Sequence, residues 1–287
     1  MSHPPLACSV RGCTRPLERR DRTFVCGAGH SYDIARSGYV NLLQPQDRRS
    51  PEAGDSRQAI EARASLLAAG IGRTLIEAIA NRVGRLEMVR LKAVPATPAP
   101  PTAAPTIVDL GCGSGDALAA LTGRAVTGIG IDLSTAAIEH AARYFPDRTW
   151  VVANADRRLP LLDASVDVVI SVHGRRNPTE VARVLVPTGH LLVAVPAADD
   201  LIELRELVQG ERLERDRTSS VLSEHQQLFE RIEQTVVRET HDLDRGALLN
   251  VLRGTYRGVR HSDAEQVAAL TRMPVTLASE LVVLRLK

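Results

Sequence analysis

Aromatic residues are nearly absent from this chain, at 3% of 287 residues, so its core must be assembled from Ala, Val, Leu and Ile; the apolar fraction of 44% supplies them. No run of eighteen apolar residues occurs, which excludes a membrane-spanning helix. No apolar stretch follows Met1, so no secretory signal is expected. Charge of one sign is also lacking: 36 Lys and Arg against 34 Asp and Glu leave a net charge of +2. A strong global attraction to polyanions is thereby excluded, although local arginine patches can still touch phosphates. Cysteine is scarce, four in all, and three of the four stand within the first thirty residues. A disulfide framework would leave one of those three unpaired. Thiols at metal-ligand spacing lead us to expect a reducing, cytoplasmic setting.

What is present begins with those thiols. Cys8, Cys13, Cys26 and His30 form a C-x4-C-x12-C-x3-H set. Zinc takes four ligands in a tetrahedron, and three Cys with one His close that shell, which marks a structural rather than a catalytic ion. We therefore expect residues 1–44 to be a zinc-binding module. Residues 45–92 follow as a basic, Pro- and Gly-bearing loop and a helical connector, with apolar residues at helical spacing from about Gln58 to Leu91 and a break at Gly70-Ile71-Gly72. Residues 93–105 are rich in Pro, Ala and Thr, the composition of an extended linker.

From residue 106 to 287 the rhythm is strand, loop, helix. Strands are expected at Thr106–Leu110, Val126–Ile131, Thr149–Ala153, Val166–Val172, His190–Val195 and Ala278–Leu286, and helices at Asp116–Leu121, Thr135–Tyr144, Pro178–Leu185, Leu201–Gln209 and Ser220–Val236. The charge alternation of residues 203–217 reads as a solvated helix face. This alternation predicts an α/β fold, Rossmann-like, with a doubly wound, mostly parallel sheet. Ligands of such sheets sit at the carboxyl ends of the strands.

The first of these strands carries Asp109 and runs into Gly111-Cys112-Gly113-Ser114-Gly115-Asp116; glycines there let the backbone turn and approach a ligand. Asp132, 21 residues after Gly111 and followed by Leu133, ends the next strand, where a carboxylate can accept from both ribose hydroxyls of a nucleoside. V-D-L-G-C-G-S-G-D followed by G-I-D-L-S resembles the class I S-adenosylmethionine-dependent methyltransferases; the glycine spacing and Asp109 speak against a nicotinamide dehydrogenase. That resemblance implies that the glycine loop underlies the cofactor's amino-acid end, that Asp132 holds the ribose, and that Asn154 and Asp156 lie on the adenine side. Cys112 reads as a small turn residue near the cofactor, not a nucleophile.

The two halves together resemble the bacterial 23S ribosomal RNA (guanine-N1)-methyltransferases, a group that includes macrolide-resistance members. The resemblance rests on the zinc set, on His30 to Leu43 with its Gly38-Tyr39-Val40-Asn41-Leu42-Leu43 block, on Gly54-Asp55-Ser56, and on Ala62-Arg63 ahead of the methyltransferase motifs. It implies methyl transfer from S-adenosylmethionine to N1 of a guanine in a hairpin of large-subunit rRNA, with Zn2+ in the leading module, and pairing of two copies. Asp200 stands where the family often has a cofactor-side His. The first cysteine pair is C-x4-C where the family has C-x2-C, and His173-Gly174-Arg175-Arg176-Asn177-Pro178 replaces an aromatic and Pro-containing stretch. His173 is the candidate to take the N1 proton. Arg48, Arg49, Arg57 and Arg63 are candidates to grip RNA phosphates, and Arg253, Arg257 and Arg260 with Tyr256 could stack and hold RNA. Two rivals share these features: the same fold turned to a small-molecule acceptor, and an RNA-binding homologue of reduced catalytic capacity.

Overall fold

The computed structural model describes residues 4–47, 54–93, 104–210, 214, 216–255, 265–267 and 269–287. Arg48, Arg49, Tyr256, Arg257, Arg260 and most of the Pro-rich segment lie outside the described residues. The chain opens with β1 (Leu17–Arg20), β2 (Thr23–Cys26) and β3 (Ser31–Asp33), which form a small antiparallel sheet. Strand β4 (Val40–Asn41) then leaves that module and joins the main sheet, parallel to β7 (Thr149–Val152). The leading segment is stitched on at a second point: Leu6 bridges Leu161, and the Ala7 N–H donates to the Pro160 carbonyl at 3.0 Å.

Helices α1 (Arg57–Ala68) and α2 (Arg73–Ala93) follow. Ser56 caps α1 by accepting from the Ala59 N–H at 3.2 Å. The two helices part at Gly70 and Gly72, both at positive φ (87° each), as the glycine spacing predicts. Then come β5 (Thr106–Leu110), α3 (Asp116–Ala119), β6 (Thr127–Asp132), α4 (Thr135–Tyr144), β7, β8 (Val166–Val172), α5 (Pro178–Val184), β9 (Leu185–Pro196) and α6 (Ile202–Gln209). The expected helix at Asp116–Leu121 is a single turn, because Leu121 and Thr122 close into tight turns onto Leu118 and Ala119.

The last third departs from expectation. The helix expected over Ser220–Val236 is instead α7 (Thr218–His225) followed by the long strand β10 (Phe229–Asp244). After α8 (Arg245–Thr255), β11 (Arg272–Leu286) runs back antiparallel to β10 along nearly its whole length. The helix expectation fails from Phe229 onward, where β-branched Ile, Thr and Val favour a strand whose partner lies well downstream in the chain. Nor is the 203–217 stretch simply a solvated face: Arg205 is buried with its guanidinium on the Ala198 carbonyl at 2.8 Å, and Glu203 accepts from Thr276.

The main sheet has eight strands in the order β10-β11-β9-β8-β5-β6-β7-β4, parallel from β9 to β4 and closed by the antiparallel β10–β11 pair. Its two faces bury different neighbours. One is covered by the zinc module, α5 and α7: Leu6, Leu17, Phe24 and Leu42 share a core with Val108, Ile131 and Val151. The other is covered by α2, α3 and α4 through Ile79, Val83, Leu118 and Ile138 against Ile107, Val152 and Ile170. A third cluster packs α1, α6 and α8 around β11. The leading module thus has no separate interior; its apolar side chains complete a face of the sheet.

Trp150, the one tryptophan, is fully buried and donates its indole N–H to the Phe145 carbonyl at 2.8 Å. It lies beneath two glycines. A Cβ on Gly130 would come within 2.2 Å of the indole ring, and one on Gly115 within 2.5 Å. Gly130→Ala should therefore destabilise the fold by roughly 1–3 kcal/mol through overpacking. Urea denaturation checks this. In a double-mutant cycle with Trp150→Phe, which removes the clashing ring edge, the two losses should be less than additive.

Candidate cofactor and metal sites

The four leading ligand residues meet. Sγ of Cys8, Cys13 and Cys26 and a ring nitrogen of His30 all lie within 4.8 Å of one another. The separations are 3.9 Å for Cys13–Cys26, 3.4 Å for Cys8 to His30 Nδ1 and 3.5 Å for Cys26 to His30 Nδ1. Zinc–sulfur bonds of ~2.3 Å and zinc–nitrogen bonds of ~2.0 Å at tetrahedral angles give edges of about 3.5–3.8 Å, so the residues fit the ion without rearrangement. Each knuckle turns at a glycine of positive φ just before its second ligand, Gly12 (78°) and Gly29 (84°). The Tyr32 hydroxyl reaches Cys8 Sγ at 3.2 Å, and the Ala28 N–H donates to Cys26 Sγ at 3.4 Å, outer bonds of the kind that orient thiolates.

The second site is built by the ends of β5 and β6. Gly111, Gly113 and Gly115 all have positive φ (71°, 52° and 89°). The Gly111 and Cys112 N–H groups both donate to the Ile131 carbonyl, at 2.8 and 3.2 Å. Asp132 ties the turn to the next helix: one carboxylate oxygen accepts from the Gly113 N–H at 2.9 Å and the other from the Ser134 N–H at 2.7 Å. Leu133, half-buried, follows directly. Asp109 is buried behind this turn, and its Oδ1 has no partner among the described residues. Burial, with Asp132 and Asp116 close by, pushes its carboxyl up to about 8. Burial also raises Asp132. Ser114 donates to Asp116, the third carboxylate of the group. Three acids packed around one turn, one of them wholly unpaired, form an environment that a cationic ligand relieves. Cys112 is buried and its thiol is pushed well above its ordinary value, which agrees with a turn residue and not a nucleophile.

The other expected positions make contacts within the fold. The Asn154 amide donates to the Asp47 carbonyl at 2.8 Å and its oxygen accepts from the Asp156 N–H at 3.0 Å, so it fastens the start of the basic loop to the end of β7. Asp156 pairs with Arg175 at 3.2 Å. Asp200 accepts from the Ala278 N–H at 2.9 Å, and burial raises its carboxyl to about 6 against the opposing pull of that bond, Arg205 and Arg217. Arg57 pairs with Glu139 at 3.3 Å. Arg63 pairs with Asp55 and donates to the Gly254 carbonyl at 2.7 Å. Arg57 thus meets a carboxylate 82 residues away, while Arg63 meets Asp55, eight residues before it, and a carbonyl 191 residues away.

The basic loop closes onto the cofactor strand. The Asp55 carbonyl accepts from the Ser134 hydroxyl at 2.7 Å, and a Cβ on Gly54 would stand 2.7 Å from the Ser134 backbone. His173 follows β8 at positive φ (50°), with Nε2 and the Ser279 hydroxyl 2.9 Å apart. The surrounding walls, with Arg217 and Arg63, lower its pKa, although part of the ring is open to solvent; the imidazole is neutral at neutral pH. Next to it, Gly174 crosses the glycine loop so closely that a Cβ there would lie 2.8 Å from the Leu110 carbonyl oxygen. Neither Gly174 nor Trp150 is singled out by sequence spacing, since both matter through contacts between separate strands.

Comparison with known proteins accords with this geometry. A family model described as a methyltransferase domain matches residues 107–189, and one described as RlmA, N-terminal, matches residues 7–51. A Micromonospora griseorubida protein named for 23S rRNA (guanine-N(1)-)-methyltransferase activity is 36% identical over 286 residues, covering 96% of this chain and 95% of its own length. The 23S rRNA (guanine(748)-N(1))-methyltransferase of Streptomyces fradiae is 34% identical over 242 residues, 84% of this chain and 81% of its own. YxjB of Bacillus subtilis, named for the same guanine-N1 chemistry, is 36% identical over 194 residues, 65% of this chain and 63% of its own. With a relative of that identity aligned along nearly its whole length, a glycine turn backed by an unpaired carboxylate and a tetrahedral Cys/His set, the chain belongs to the 23S rRNA (guanine-N1)-methyltransferase family.

Proposed function

We propose that the chain methylates N1 of an unpaired guanine in a hairpin of 23S rRNA, using S-adenosylmethionine bound at the glycine turn and Zn2+ held in the leading module. The family relation carries the reaction and the rRNA substrate. The unpaired state follows from chemistry: N1 lies on the Watson–Crick edge, which a duplex conceals and a splayed loop base exposes. Action on ribosomal RNA supports a cytoplasmic location. The long outer strand β10, with exposed Ile232 and Val236, supports association of two copies, which sedimentation would test.

S-adenosylmethionine supplies, when bound, an electrophilic methyl on a sulfonium centre. Asp109 offers its unpaired buried oxygen to the cationic amino-acid end, while Asp132, already fixed by two backbone N–H groups, has lone pairs left for ribose hydroxyls. Asn154 and Asp156 act by holding the β7 loop and the basic loop in place, and Asp200 by tying α6 to β11. For N1 to become nucleophilic its proton must leave. His173 is placed to accept it: it stands at the carboxyl end of β8, beside the glycine turn, and is held by Ser279 in neutral form. Methylation of isolated 23S rRNA, read by the reverse-transcriptase stop that N1-methylguanine causes, tests the assignment. Absence of that stop with the cofactor bound would favour a different acceptor.

Two substitutions examine the roles. Asp109 is raised from 3.8 to about 8 in the folded protein, so between those pH values the fold retains a proton that the unfolded chain has released. Its contribution therefore makes the cofactor-free protein less stable as pH rises through that window. Asp109→Asn should flatten this decline in thermal melts while weakening cofactor binding at least roughly tenfold by calorimetry. A steeper decline or unchanged affinity would contradict the role. His173→Asn, chosen because Asn tolerates positive φ, should lower kcat about a hundredfold with cofactor affinity unaltered; an unchanged kcat would remove His173 from the chemistry.

A further inference from the structure

Of the candidate RNA-gripping arginines, Arg57 and Arg63 are paired within the fold, which raises the question of where unpaired cations among the described residues do face a cavity. One such place lies between the first zinc knuckle and the loop after β7. A cavity of about 190 Å³ is bounded there by exposed Arg11, Arg157 and Arg158 and by buried Leu42 and Leu159. None of residues 109–116, 132 or 133 lines it; Asn154, expected on the adenine side, does, so the cavity lies beside the glycine-turn site. Arg11 and Arg157 have no side-chain hydrogen bond or ion pair among the described residues, and Arg158 meets only the exposed Asp163, at 3.9 Å. Asp47 is the one carboxylate on the wall; Cys8 and Cys13 also border it, and their thiolate charge is partly neutralised when the ion is bound.

Both arginines spring from backbone that is tied down. The four residues between Cys8 and Cys13 form a turn in which the Cys13 N–H donates to the Val10 carbonyl at 2.9 Å. Ser9 at its start is pinned by Gln44 at 2.9 Å and by Tyr32 at 3.3 Å, so Arg11 is displayed from a fixed loop. On the opposite wall the Arg157 N–H donates to the Asn154 carbonyl at 3.1 Å, and Asn154 is itself bound to Asp47. With the backbone already placed, gripping a phosphate costs the ordering of the side chain alone. The apolar wall beneath suits a ribose or base face. Ala153 and Asn154, on this wall, directly follow β7, two strands from the glycine turn at the end of β5, or about 10 Å at normal strand spacing.

We propose that this cleft is a phosphodiester site that holds the RNA backbone beside the target guanine, with Arg11 and Arg157 as its principal donors. The inference rests on the reading of 23S rRNA as substrate. It makes the zinc module and the methyltransferase sheet joint owners of one RNA contact and assigns a use to the long first knuckle.

The test is filter binding of the full-length, zinc-loaded protein to transcribed 23S rRNA at about 50 to 200 mM KCl. The double variant Arg11→Gln/Arg157→Gln should bind roughly tenfold more weakly, and the slope of log affinity against log salt should become shallower by about 0.7 per lost contact, about 1.4 in total. Its zinc content and calorimetric affinity for S-adenosylmethionine should match wild type. Arg143→Gln, an exposed arginine on α4 paired with Glu139, serves as control and should leave the slope unchanged. Unchanged affinity and slope in the double variant would overturn the site, as would an equal effect in the control. A parallel loss of cofactor affinity would overturn it too, by assigning the cleft to the cofactor. Wild-type protein that binds cofactor but not 23S rRNA would instead sink the substrate reading on which the inference stands.

Discussion

The leading module and the methyltransferase sheet share one apolar core, and that constraint governs the rest of the molecule. Leu6, Leu17, Phe24 and Leu42 are too few to close an interior of their own, and they complete a face of the sheet against Val108, Ile131 and Val151. Two of the ligand cysteines, Cys8 and Cys26, belong to the same cluster. A bound ion would therefore fix more than a local turn. It would hold β1 to β3 in the shape that lets β4 reach β7, and β4 leads directly into the loop that closes on Ser134. Metal coordination, sheet packing and cofactor-site closure are links of one chain.

At the other end of that chain the dominant force is electrostatic. Asp109, Asp116 and Asp132 crowd a glycine turn where water is scarce, and no cation among the described residues pairs with Asp109 Oδ1. A protein that keeps a buried carboxylate without a partner sacrifices stability there. That loss is intelligible where a ligand brings the compensating charge. Burial acts oppositely on the two kinds of group: it raises the Asp109 carboxyl and lowers the His173 imidazole. The site thus places an unpartnered acid oxygen and a neutral imidazole at the carboxyl ends of adjacent strands.

Much of this was legible in the sequence because it is local. Ligand spacing found the Cys/His set, glycine spacing found the turn, and the strand–helix rhythm placed β5 to β9 within a few residues. What escaped depends on partners far away in the chain. The stretch up to Val236 reads as helix until β11 pairs with residues 229–244. Trp150 and Gly174 are unremarkable in their own strands; one underlies two glycines and the other crosses a third. Arg57 and Arg63 look like free cations until Glu139 and Gly254 arrive, the first 82 and the second 191 residues away.

The fate of those arginines carries a broader point about reading basic patches. A guanidinium near a carboxylate is held by it, and the basic loop leads straight into a region rich in acids: Asp55 at its end, Glu139 on the helix it meets, and Asp132 beneath. Arg57 and Arg63 are each paired there within the fold. The first knuckle and the β7 loop are differently situated, since Asp156 is taken by Arg175 and Asp163 stands at the edge of reach. Local charge in a near-neutral chain is therefore decided by which carboxylates the fold brings alongside, and the guanidinia left over mark the surface that a phosphate can use.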